Sequence, residues 1–94
     1  MFNSYIVTTY LRAIENREYY NLRAYFSPRT YKRKSKQWCF YHELYQEQNA
    51  IIDRLYDMLG PFAKDLLWKI DDAPARHAGW DRYYDERRAE LLNS

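Results

Sequence analysis

The stretch KQWCFYHELYQEQNAIIDRLYDMLGP, residues 36–61, decides the fold of this chain. Within it Tyr41, Leu44, Tyr45, Gln48, Ile51, Ile52, Leu55, Met58 and Leu59 recur at three- and four-residue steps. That period places them on one face of an α-helix. Ser35 stands just before the run, where a hydroxyl can accept from a free backbone N–H and start the helix. Gly60 supplies a left-handed stop, and Pro61 opens the next element, since proline suits a first helical turn. A long central helix from Lys36 to Leu59 is therefore predicted.

Downstream, Phe62, Ala63, Leu66, Leu67 and Ile70 give a short helix from Pro61 to about Asp71. Asp71 and Asp72 precede Pro74 and mark an end and a restart, as helix-end residues favoured by the dipole of the following segment. A last helical segment runs from Pro74 or Trp80 to Leu92, with Gly79 as its weak point. Trp80, Tyr84, Arg87 or Arg88, and Leu91 lie along one side of it. Upstream, Ser4 to Phe26 forms the first element and stops at Ser27-Pro28, because proline disfavours a helical predecessor. Val7, Leu11, Ile14, Leu22 and Phe26 form its apolar stripe. Residues 5–11 are β-branched enough to compete as a short strand, but a lone strand finds no partner elsewhere. The expectation is an all-α, single-domain bundle spanning 1–94, with three to four helices.

Ninety-four residues suit one domain, and such a chain buries only about two-thirds of its unfolded surface. Cys39 is the single cysteine, so no internal disulfide can form and a reducing compartment fits. No apolar run approaches the ~20 residues of a spanning helix, and no charged-then-apolar leader opens the sequence. A cytoplasmic protein without membrane contact is expected. The net charge of +2 is uneven: residues 1–47 carry +4 and residues 48–94 carry −2. Such a split can steer a partner or pair copies of the chain head to tail.

No catalytic pattern emerges. Cys39 and His42 share a helix face, but a Cys–His dyad needs an orienting third group and an oxyanion site that nothing here supplies. Cys39 reads as a small buried residue and His42 as a polar-face one. A metal site would need His77 or carboxylates to complete the ligand set. Asp53 with Asp57, and Asp81 with Asp85, lie four apart among Arg54, Arg82, Arg87 and Arg88, which suits exposed helical ion pairs. No enzyme activity, cofactor or metal is expected.

Binding is the class that composition favours. The chain holds 11 Tyr and 3 Trp, residues that bury area and still make directed polar contacts. So many phenols exceed what a small core can satisfy, and several must reach the surface as an interaction patch. Tyr20, Tyr25, Arg29, Tyr31, Arg33 and Trp38 are expected as anchors at a helix–loop–helix corner, with Tyr83 and Tyr84 as a second patch. The function expected is that of a small inhibitor or adaptor occupying a surface of a larger host protein or complex. Size and composition are those of accessory proteins of phages and mobile elements. The alternative is RNA or single-stranded DNA held by Arg29, Lys32, Arg33, Lys34 and Lys36, with Tyr31 and Trp38 as stacking platforms. Self-association is a further possibility that the charge split raises.

Overall fold

In a computed structural model, residues 4–28 and 33–93 are described, with Ser4, Leu59, Phe62, Ala63 and Lys64 described in backbone only. They form four helices: α1 (Ser4–Tyr25), α2 (Lys36–Leu59), α3 (Pro61–Trp68) and α4 (Ala73–Leu92). The domain is all-α, and residues 5–11 are helical.

The ends of α2 follow from its sequence. The Ser35 hydroxyl accepts from the Trp38 N–H at 3.0 Å. At the other end Gly60 has φ +63° and ψ −148°, a conformation reserved for glycine. Its N–H donates to the Tyr56 carbonyl at 3.1 Å, and Pro61 begins α3 directly. Helix α1 closes one residue before Phe26. There the buried Ser27 turns its hydroxyl back onto the Arg23 carbonyl at 2.5 Å.

Two boundaries differ from expectation. Helix α3 ends at Trp68 rather than near Asp71, because the N–H groups of Lys69 and Ile70 bond three residues back, to Leu66 and Leu67, and tighten the turn. Helix α4 starts at Ala73 and runs unbroken through Gly79. Gly79 is no weak point but the closest approach between two helices. A Cβ there would stand 2.3 Å from the Glu15 carbonyl oxygen.

Helix α1 packs against both α2 and α4, while α3 packs on α2. The pairing of Tyr10 with the Ile52–Leu55 end of α2, and of Tyr20 with Tyr41, makes α1 and α2 antiparallel. Helix α4 runs parallel to α1, with Gly79 beside Glu15 and Glu90 beside Arg23. The apolar core comprises Tyr10, Ala13, Ile14, Ile52, Leu55 and Leu67, with Ile6, Leu11, Ile51, Tyr56, Ile70 and Ala75 packed around it.

The stripes read from periodicity are partly rotated. Ile14, Ile52, Leu55 and Leu67 are buried as the spacing requires. Phe26 and Met58, expected on inner faces, are exposed. Phe26 lies past the last turn of α1, and Met58 is 79% exposed near the end of α2. Among the described residues, no helix is long and apolar enough to cross a membrane.

Candidate interaction surface

The lower part of the α1–α4 contact is built around a cation. Arg23 lies on the last turn of α1, and its side chain is only 11% exposed. One guanidinium nitrogen donates to Glu86 Oε2 at 2.6 Å and to Glu90 Oε1 at 2.9 Å, both from α4. Nε donates to the Tyr19 hydroxyl at 3.2 Å, and that hydroxyl donates in turn to Glu86. Three phenol rings surround the cation, with centroids at 5.7 Å (Tyr19), 5.9 Å (Tyr41) and 5.4 Å (Tyr83). Arg82 also lies over the Tyr19 ring, 3.9 Å from its centroid. A guanidinium over aromatic faces gains from the ring quadrupole, more so where water is excluded.

The network sets the ionisation of its members. Burial pushes the Glu86 carboxyl up, but the Tyr19 hydroxyl and the Arg23 guanidinium outweigh it and hold the group below its ordinary value. Burial opposes charge on Arg23, yet its bonds to Glu86, Glu90 and Tyr19 raise its pKa and keep it charged. The Tyr19 phenol is raised, first by burial and then by its bond to Glu86. Every donor of this seam that is named here meets an acceptor, which is the condition for burying charge at acceptable cost.

On this support stands a series of rings crossing from α1 to α4. Tyr25 meets Phe26 edge-on at 4.9 Å, Phe26 stacks on Tyr83 at 5.5 Å, and Tyr83 meets Tyr84 edge-on at 5.2 Å. Tyr25, Phe26 and Tyr84 are 60%, 55% and 53% exposed, whereas Tyr83 is 4% exposed. The two patches expected separately, around Tyr25 and around Tyr83–Tyr84, are thus one surface. Tyr83 is its buried foundation and not an exposed anchor, because its ring fills the space between Phe26 and Arg23. A cleft lined by Phe26, Pro28, Gln37, Tyr41 and Arg87 adjoins it.

The remaining expected residues fall elsewhere. Tyr20 is half-buried and stacks on Tyr41 at 6.3 Å, joining α1 to α2. Trp38 stacks on His42 at 4.4 Å beneath the Lys34 ammonium, which is 4.2 Å from the indole centroid. His42 stacks in turn on Tyr45 at 6.0 Å, so these rings line α2 itself. Arg33, Lys34 and Lys36 are exposed. Arg29, Tyr31 and Lys32 lie outside the described residues.

Cys39, expected to be buried, is exposed on the first turns of α2, where no neighbouring helix covers it. Among the described residues, no cluster of His, Cys, Asp and Glu has the arrangement of a metal site. The expected helical ion pairs form on α4, where Asp85 meets Arg88 at 4.0 Å. Among the described residues they do not form on α2, where Arg54 donates to the Ala50 carbonyl at 3.4 Å instead.

Three features went unread in the sequence: the Arg23 seam, the exposed Phe26, and Trp68, which is 85% exposed. The spacing of Tyr19 and Arg23, four apart on α1, with that of Glu86 and Glu90, four apart on α4, was the available signal for the seam. Comparison of the chain with known protein families, with characterised proteins and with solved structures finds no match.

Proposed function

We propose that this protein is a non-enzymatic binding protein, an inhibitor or adaptor that occupies a surface of a larger protein or complex. The observation that carries this reading is the ring series Tyr25–Phe26–Tyr83–Tyr84, exposed at three members and pinned at the fourth. Contiguous aromatic surface of this kind marks interaction sites. Rings that are already fixed lose little freedom on binding, so more of the contact energy appears as affinity. Arg29, Tyr31, Arg33 and Trp38 belong to the adjoining corner in sequence and complete the proposed anchor set with Tyr20.

The test is affinity capture from the source cell, followed by titration of the captured partner with wild type and a Tyr25→Ala/Phe26→Ala/Tyr84→Ala variant. A true anchor set loses at least 2 kcal/mol on truncation, about 30-fold in Kd. Unchanged affinity in the triple variant would overturn the assignment.

A second reading is supported by the Lys34–Trp38 pair, which combines a cation and a stacking face. It assigns RNA or single-stranded DNA to Arg29, Lys32, Arg33, Lys34 and Lys36. Binding of that kind weakens steeply with salt as counterions are released. A gel shift at two salt concentrations distinguishes it from the first reading.

A further inference from the structure

At the opposite end of α2 from Lys36 lies an open groove between α2 and α3, lined by Asp53, Tyr56, Asp57, Asp65 and Trp68. Its lining combines two aromatic side chains with three carboxylates. Trp68 is 85% exposed, a large apolar side chain left open to solvent at the groove. Among the described residues, Asp53, Asp57 and Asp65 make no ion pair, whereas Asp72, Asp85, Glu86 and Glu90 each meet an arginine.

The charges on α2 also run against the helix's own preference. Its first turn holds no acid and its last turn no base. Lys34 and Lys36 flank the N-terminus, while Asp57 sits in the last turn. A helix dipole favours the reverse placement at both ends. Helix stability therefore does not account for either cluster, and each is left with the sign that its own helix end repels.

The two surfaces match in chemistry. The start of α2 offers exposed Lys34 and Lys36 beside the Trp38 ring, with no acid between residues 33 and 42. The groove offers carboxylates beside Tyr56 and Trp68. A chain cannot bring its own basic turn into its own groove, because 24 helical residues of α2, about 36 Å at ~1.5 Å each, hold them apart. We propose that the groove between α2 and α3 receives the Lys34–Trp38 turn of a second copy of this chain, so that copies join head to tail. Such a contact places the N-terminus of one α2 against the C-terminus of the next and compensates both dipoles. It is heterologous, so it leaves one free surface of each kind and extends into chains or rings.

The test is sedimentation at low salt of wild type and two charge-reversed variants with substitutions at exposed positions. The groove variant is Asp53→Lys/Asp57→Lys, and the turn variant is Lys34→Glu/Lys36→Glu. Wild type is expected to gain mass with concentration and to lose it on adding salt, as screened charges separate. Each variant alone is expected to remain a monomer with wild-type helicity by circular dichroism. An equimolar mixture of the two opposed variants restores opposite charges at both cross-contacts: the acidic groove of the turn variant meets the basic turn of the groove variant, and the reversed groove meets the reversed turn. It is therefore expected to gain mass by alternating the two variants, where neither gains mass alone. Wild type that stays monomeric across the concentration series, or a mixture no heavier than its components, would overturn the proposal. These readouts use no partner, so they stand or fall separately from the binding assigned to Tyr25, Phe26 and Tyr84.

Discussion

Gly79 of α4 lies against the backbone of Glu15 of α1, so closely that a Cβ would meet the Glu15 carbonyl oxygen at 2.3 Å and the Glu18 Cβ at 3.1 Å. The obstacle at 2.3 Å is main chain, which cannot rotate away as a flexible side chain would. The hydrogen of glycine is what lets the two helices meet at this point.

Replacing Gly79 by alanine is accordingly predicted to destabilise the protein. In an exposed helix the same change would stabilise by up to ~1 kcal/mol, since alanine is the better helix former. Here overpacking should reverse the sign and cost on the order of 2 kcal/mol. A urea titration followed by circular dichroism measures it. A midpoint at or above wild type would show that α4 moves aside freely.

Truncating Arg23 to alanine should cost about 2 kcal/mol, because it leaves Glu86 and the Tyr19 hydroxyl without their shared donor. The loss is expected to fall short of the ~3–5 kcal/mol of a fully buried pair, since the Glu86 side chain is 40% exposed. Arg23→Lys should recover only part of the loss. Lysine keeps the charge but has no planar fork to reach Tyr19, Glu86 and Glu90 together.

Acid should loosen the same seam. Folded Glu86 holds its proton less tightly than the unfolded chain does, so the unfolded state takes up more protons as pH falls. Its contribution is complete above the ordinary glutamate pKa of about 4.3 and disappears as pH drops through the lower folded value. Glu86→Gln should unfold at lower urea than wild type near neutrality. The gap between the two should narrow below about pH 4.

Alkali acts at the other end of α1. The Tyr10 phenol is pushed up to about 12 by burial, with the neighbouring Tyr56 phenol adding to the shift. Unfolded tyrosine ionises at about 10, so the stability Tyr10 contributes is complete below that pH and is lost as pH rises through about 12. Phenolate absorbance should show a late step that is absent in Tyr10→Phe.

The chain's helices were legible wherever a capping residue and an apolar period coincided. Ser35, Gly60 and Pro61 delimit α2 in the sequence as they do in the structure. Helix α4 was harder, because few of its residues are apolar on one side and its attachment to α1 rests on a glycine and on polar, charged and aromatic side chains, among them Trp80, Arg82, Tyr83, Glu86 and Glu90. Hydropathy periods do not register such a face. The candidate surface was half legible. Tyr25 and Tyr84 stand out as surplus aromatics, but that they share one surface depends on α4 running parallel to α1, which spacing along the chain does not encode. Trp68 escaped notice because an apolar side chain at the end of a short helix reads as core, whereas here it is 85% exposed.

The Arg23 seam also divides the molecule into two tiers of cohesion. The apolar core is supplied almost entirely by α1, α2 and α3, while α4 buries only Gly79 and Tyr83 along its length. What fastens α4 is therefore largely directional and electrostatic. The exposed ring series spans this very boundary, with Tyr25 and Phe26 on one tier and Tyr84 on the other. Whatever grips those rings ties the two tiers together, and the surface exists only while α4 stays seated on α1.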